Sequence, residues 1–143
     1  MALKFYESVG STTPYSVDGL FTNPQIISID GRTGGIVEKK LYLRNDDNAK
    51  AYSNIQLTFY QSGGDIDYRD GSEGFSMKGK TGNTRPTAAE WVTISANNTV
   101  TFSDIPDTVT YLPVWIRVQI PAKVSVQHID NVSLKITATE ATP

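Results

Sequence analysis

The feature that most constrains this chain is a series of short segments in which apolar and polar residues alternate. The clearest one spans residues 113–121, where every second position is apolar. These apolar positions are Val114, Ile116, Val118 and Ile120. Because successive side chains of a β-strand point to opposite faces, this period predicts a strand with one buried side and one outward side.

Several other segments have β-type patterns and are separated by turn residues. They lie at 25–29, 36–44, 55–60, 92–94, 99–102 and 132–138. Seven or eight short strands at this spacing predict an all-β, antiparallel β-sandwich. A chain of 143 residues is long enough to bury a core within one domain, so we expect residues 24–143 to form that domain.

The first 23 residues are weakly patterned, apart from a possible short strand at residues 3–6. We interpret residues 1–23 as an extended N-terminal arm. Its large side chains predict contact with something, since such residues rarely stay in water. They include Phe5, Tyr6, Tyr15 and Phe21. They could cover an edge of the sandwich or reach a neighbouring subunit. In the second case, removing residues 1–22 would leave a folded domain that no longer binds its partner.

Two segments in the middle of the chain interrupt the strand pattern. Residues 63–85 are rich in glycine and charge, and we expect a long loop that contacts a partner or stays exposed. Thr87 and Glu90 then have the spacing of a helix capping box, which predicts a single helical turn. That turn would fold Trp91 back onto the sandwich.

The chain contains few side chains that could carry chemistry. It has no cysteine and one histidine, His128, so neither thiol catalysis nor a His/Cys metal cluster is expected. Residues 65–73 begin like a calcium-binding loop, but Arg69 stands where a ligand would belong. We therefore expect no catalytic residue, no metal and no cofactor. Calcium binding by residues 65–73 is the weaker alternative.

The charge and hydropathy of the chain limit the classes of partner that it is expected to bind. The 13 basic and 15 acidic residues give a net charge of −2, and the basic residues are scattered along the chain. This composition argues against nucleic acid as a partner. No apolar segment approaches the roughly 20 residues that a membrane-spanning helix needs. We therefore expect neither a nucleic-acid nor a membrane partner.

Three aromatic residues fall on the polar side of their predicted strands. They are Tyr42, Tyr60 and Trp115. Outward aromatic side chains can stack on a sugar or become buried in a protein interface. We favour coverage by another part of the chain or by a partner protein over sugar binding.

The order of these strand and turn motifs resembles that of small immunoglobulin-like virion proteins of tailed bacteriophages. The motifs are residues 41–46, 52–57, 90–91, 113–121 and 132–140. They also resemble, more loosely, immunoglobulin-like modules of bacterial surface proteins. The lack of an apparent signal peptide and the small size of the chain favour the phage family.

This resemblance implies a single immunoglobulin-like β-sandwich with a structural role. The expected function is a non-enzymatic capsid decoration or cement protein, made in the host cytoplasm and mounted on the virion. Its expected partners are the major capsid protein or other virion proteins, and further copies of itself. A neck, tail or baseplate accessory protein is the nearest alternative, followed by a carbohydrate- or receptor-binding module.

Overall fold

The computed structural model describes residues 2–14, 34–61, 76–94, 98–120 and 132–143, which form eight β-strands and no helix. The strands are β1 (Leu3–Tyr6), β2 (Gly35–Asn45), β3 (Ala51–Gln61), β4 (Ser76–Thr81), β5 (Val92–Thr93), β6 (Val100–Thr101), β7 (Tyr111–Ile120) and β8 (Val132–Ala141). The predicted all-β fold is therefore confirmed. The predicted strand at 25–29 lies outside the described residues.

The strands form two antiparallel sheets. One has five strands in the order β1-β2-β7-β4-β5, and the other has three in the order β6-β3-β8. Strands distant in the chain are neighbours in both sheets, as with β2 and β7, which pair along their length from Gly35–Ile120 to Arg44–Tyr111. This arrangement is consistent with the predicted β-sandwich, while immunoglobulin-like connectivity stays a prediction.

Apolar side chains from both sheets meet in one core. The five-stranded sheet contributes Leu3, Phe5, Leu41, Leu43, Met77, Val114, Ile116 and Val118, and the three-stranded sheet contributes Ile55, Leu57, Val100 and Ile136. Leu41, Leu43 and Val114 are fully buried, as the alternation predicts. Burial of apolar area at about 25 cal/mol per Å² is the dominant stabilising effect, so this shared core holds the two sheets together.

Strand β3 contains a β-bulge that the alternation pattern does not reveal. Its pairing with β8 shifts register between Ser53 and Gln56, and Asn54 adopts a positive φ of 50°. The extra residue lets both Tyr52 and Ile55 point into the core, although they are an odd number of positions apart. The strand therefore begins at residue 51, four residues before the regular alternation.

Strand β4 corrects the prediction that residues 63–85 form a loop. Residues 76–81 lie within the five-stranded sheet, between β7 and β5, and Ser76 and Met77 are buried. The strand was missed because Gly79 stands at an inward position. A Cβ at Gly79 would lie 3.1 Å from Ile94 Cδ1 and 3.2 Å from Val100 Cγ2, so the sheets leave little room there for a larger residue.

Strand β1 places the start of the arm in the five-stranded sheet. Residues 3–6 pair with residues 42–45 of β2. Phe5 is 4% exposed and lies in the core, and Tyr6 is 1% exposed. Both side chains are buried in the monomer, and their predicted role in partner binding stays a prediction. They cover an edge of the sandwich, the alternative considered above.

The segment between β4 and β5 contains a tight turn at the predicted capping motif. The Glu90 carboxylate accepts hydrogen bonds from Thr87 N (2.9 Å) and Thr87 Oγ1 (2.8 Å), and Glu90 N donates to Thr87 O (3.0 Å). The residues form a turn rather than the expected helical turn. Trp91, which follows it, is 9% exposed, so its predicted return onto the sandwich is confirmed.

Candidate interaction surface

The outer face of the five-stranded sheet gathers most of the charged strand residues. Alternate positions of β1, β2, β4 and β7 point away from the core, and the register sets them side by side. We call this surface the charged face, and it consists of Lys4, Glu38, Lys40, Tyr42, Arg44, Lys78, Lys80, Trp115 and Arg117. Lys40 and Lys80 flank Trp115 from the two neighbouring strands, and Glu38 and Lys78 flank Arg117 in the same way.

The charged face has an excess of basic side chains. Arg85, which follows β4, also reaches this face because it binds Glu38. Seven of the 13 basic residues of the chain therefore meet here: Lys4, Lys40, Arg44, Lys78, Lys80, Arg85 and Arg117. Among the described residues, Glu38 on β2 and Asp46 just after it form ion pairs with these basic side chains, and the charge of Lys80 also acts on Glu90. Basic residues that look scattered in the sequence are thus concentrated in space.

At the β1 edge of the charged face, Arg44 stacks on a buried ring. Its guanidinium carbon lies 3.7 Å from the centroid of the Tyr6 ring. Arg44 Nε donates to Asp46 Oδ1 at 2.8 Å, and the Tyr6 hydroxyl donates to Asp46 Oδ2. Lys4 Nζ lies 3.5 Å from the same carboxylate. This network fixes the Arg44 side chain, which is 17% exposed.

These contacts shift the pKa values of Asp46 and Tyr6 in opposite directions. Burial alone would raise the pKa of Asp46, but hydrogen bonds from Tyr6 and Arg44, with the charges of Arg44 and Lys4, lower it overall. Burial raises the pKa of Tyr6, and its hydrogen bond to Asp46 raises it further. Asp46 is therefore held as a carboxylate and Tyr6 as a neutral phenol.

Toward the β5 edge, a second arginine lies over a buried aromatic ring. The Arg117 guanidinium carbon is 5.9 Å from the centroid of the Trp91 ring. Glu38 lies beside it and accepts two hydrogen bonds from Arg85, at 2.6 and 2.7 Å. The hydrogen bonds from Arg85 lower the pKa of Glu38, and the same pair raises the pKa of Arg85. The bidentate pair ties the segment after β4 to strand β2.

Tyr42 and Trp115 are half-buried in the middle of the charged face. Lys40 Nζ lies 5.3 Å from the centroid of the Tyr42 ring, and Trp115 Nε1 donates to Asn83 O at 3.3 Å. The alternation correctly predicts that both side chains point outward. Their role in partner binding stays a prediction.

The other predicted site residues are not part of this surface. Tyr15 and Phe21 lie outside the described residues, as do His128 and the candidate calcium loop at 65–73. Tyr60 belongs to β3, which places it in the three-stranded sheet, and its side chain is not described.

The basic residues of the charged face are not revealed as a group by the sequence patterns. Lys78 and Lys80 lie in the segment predicted as a loop, and Arg117 is separated from them by more than 30 positions. Their closeness depends on β4 pairing with β7, which no local pattern reveals. The one sequence signal for this basic surface is the outward position of Arg117, two residues after Trp115 on the same strand.

The three-stranded sheet has a different outer face. Its outward side chains are mainly hydroxyls and amides, and in the described residues Lys135 carries the charge. We call this the neutral face, and it includes Gln56, Thr58, Thr101, Lys135, Thr137 and Thr139. Thr58 Oγ1 donates to Lys135 O at 3.1 Å. The two outer surfaces of the molecule therefore differ sharply in charge.

The described residues contain no group of three or more His, Asp or Glu that could hold a metal ion. Within the same parts of the chain, no helix has the length and apolar character needed to cross a membrane. Comparison of the chain with protein-family models, curated proteins and solved structures found no match.

Proposed function

We propose that this chain is a non-enzymatic structural protein of a tailed-bacteriophage virion, a capsid decoration protein that binds the outer surface of the lattice and stabilises it. The order of its strand and turn motifs supports the phage family. The observation that carries a docking role is the charged face, which combines half-buried aromatic side chains with fixed arginines. Tyrosine, tryptophan and arginine are the residues most enriched where protein interfaces bind tightly.

Decoration would work through repeated contacts. A rigid sandwich that bridges capsid subunits adds interactions that are lost when the lattice separates. Many modest interfaces acting together give strong overall binding, because each later contact is effectively intramolecular. In this role the chain needs a stable core and a persistent surface, and it acts from the virion after synthesis in the host cytoplasm.

Quantifying the chain in purified particles tests this function. We expect hundreds of copies per particle by calibrated mass spectrometry, since decoration proteins cover a lattice. About a dozen copies or fewer would indicate a neck, tail or baseplate component, because such parts form closed rings around one axis. Absence from purified particles would contradict both virion assignments.

The second candidate is a carbohydrate- or receptor-binding module, favoured by the outward position of Trp115. If it is correct, the isolated chain binds a glycan array, and Trp115→Ala abolishes that binding while the unfolding transition persists. A chain that binds no glycan on the array would exclude this candidate in its carbohydrate form.

A further inference from the structure

We infer that the charged face is the docking surface for an acidic protein surface. This inference rests on the proposed structural role, and it specifies which side of the sandwich binds and what chemistry the partner presents. The structural basis is the pairing of β2, β7 and β4, which brings basic side chains from distant parts of the chain onto one side of one sheet.

The local charge of the charged face favours an acidic partner. The whole chain carries two more acidic than basic residues, yet among the described residues the charged face has seven basic side chains against three acidic ones that interact with them, Glu38, Asp46 and Glu90. The local excess is therefore opposite in sign to the net charge. Such a patch attracts an acidic surface and repels basic ones, which gives both faster association and discrimination between partners.

Charged groups of this face are also held in place before binding. Arg44 is stacked on Tyr6 and bound to Asp46, and Arg85 makes a bidentate pair with Glu38. Ordering a flexible side chain on binding has an entropic cost, so side chains that are already fixed weaken the complex less. The remaining basic excess includes Lys40 and Lys80, on either side of the half-buried Trp115.

The charged face is also large enough to contribute to a protein interface. The five strands contain 33 residues, and at a rise of about 3.3 Å per residue and a spacing of about 4.8 Å they give this sheet an outer face of about 500 Å². A standard protein interface buries about 800 Å² on each partner. The charged face alone therefore supplies much of the area that a specific protein contact needs.

The same features favour protein over nucleic acid. Nucleic-acid-binding domains usually carry a net basic charge, whereas this chain is acidic overall, with a sequence pI near 5.3. Binding of single strands also relies on aromatic rings exposed for base stacking. Here Tyr6 and Trp91 are buried beneath arginines, and Tyr42 and Trp115 are half-buried.

The test compares matched pairs of lysine substitutions in the full chain. Lys78→Glu with Lys80→Glu alters the charged face, and Lys50→Glu with Lys135→Glu changes net charge equally at other positions. Fluorescent poly-L-glutamate serves as the acidic probe and an oligothymidylate as the nucleic-acid probe. Anisotropy is measured at about 50 mM NaCl, where screening is modest.

We expect polyglutamate binding to weaken about tenfold in the charged-face variant and less than about twofold in the control. Equal loss in both variants would show that net charge alone decides binding, and would overturn the inference. So would tighter binding of oligothymidylate than of polyglutamate, or no binding of polyglutamate by the unaltered chain.

A replacement pair of variants and a comparison with particle binding complete the test. If the reversed pair fails to fold, as judged by loss of its unfolding transition, Lys40→Gln with Lys80→Gln replaces it, and Lys50→Gln with Lys135→Gln is its control. The surface and the proposed function can also fail separately. Selective loss of polyglutamate binding in a chain absent from particles would support the surface and contradict the virion role.

Discussion

The two outer faces of this molecule lie on opposite sides of one core and have very different chemistry. The charged face carries stacked arginines, paired carboxylates and four aromatic rings that are buried or half-buried. The neutral face carries threonine and glutamine side chains around Lys135. A sandwich needs one inward side on each sheet, so the outward sides are free to diverge. The difference shows where this chain has placed interactions beyond those its fold requires.

The largest expected loss of stability follows from deleting the strand at the N-terminal edge of the charged face. Deleting residues 2–7 removes strand β1, including Leu3 and Phe5, which are 0% and 4% exposed. Truncating either side chain in a core costs about 2–5 kcal/mol, and whole domains are stable by about 5–15 kcal/mol. We expect the shortened chain to lose its cooperative unfolding transition in urea. Tryptophan fluorescence measures this transition.

Deleting Thr142 and Pro143, which are exposed after β8, is the control and should leave the transition midpoint unchanged. A cooperative transition at the original midpoint after loss of residues 2–7 would contradict the assignment of β1 to the sandwich. It would instead favour the original expectation of a separable arm.

The next largest loss of stability is expected when a residue at the charged face is replaced, and a substitution on the neutral face gives the comparison. Tyr6→Ala removes a buried ring, its contact with Arg44 and its hydrogen bond to Asp46, so the free energy of unfolding should fall by about 3–4 kcal/mol. Thr137→Ala on the neutral face should change it by less than about 0.5 kcal/mol. Urea denaturation measures both, and similar losses would erase the proposed difference between the faces.

A smaller effect depends on pH. The pKa of Glu38 is lowered below its ordinary value of 4.5, chiefly by the hydrogen bonds from Arg85. A carboxylate with a lowered folded pKa stabilises the protein above its unfolded pKa, and that stabilisation is lost as the pH falls through the folded value. We therefore expect the Glu38–Arg85 coupling at pH 7 to disappear near pH 2.

A double-mutant cycle with Glu38→Gln and Arg85→Gln, measured by urea denaturation at both pH values, isolates this coupling from the other effects of each substitution. Coupling that is equal at both pH values would mean that the carboxylate charge does not hold Arg85 in place.

The smallest effect lies on the neutral face. Thr58→Val keeps the branched shape and removes the hydrogen bond from Thr58 Oγ1 to Lys135 O. We expect a loss of about 0.5–1 kcal/mol in unfolding free energy by thermal or urea denaturation, because the net value of one such bond is small. A loss above about 2 kcal/mol would contradict this expectation. It would show that stability depends on polar contacts of the neutral face as much as on those of the charged face.

Sequence patterns predict those parts of this fold that are encoded locally. Alternation identified the inward side chains Leu41, Leu43, Val114 and Ile116, and spacing identified the turn at Thr87 and Glu90. These features depend on neighbours within a few positions along the chain. The outward direction of Trp115 follows from the same rule.

The remaining parts depend on contacts between distant segments. Strand β4 was missed because Gly79 interrupts its apolar face, although Ile94 and Val100 pack closely at that point. The basic surface was missed because β4 lies beside β7 in space and far from it in sequence. Strand order is decided by packing of the whole chain, so a pattern within one segment could not reveal either feature.

The most direct test of the account compares lysine reactivity in the free chain and in purified particles. Brief acetylation followed by mass spectrometry reports the modification of each lysine separately. If the charged face is the docking surface, Lys40 and Lys80 lose reactivity on the particle, while Lys50 and Lys135 keep the reactivity they have in the free chain. Protection of Lys50 and Lys135 with unchanged Lys40 and Lys80 would contradict the account.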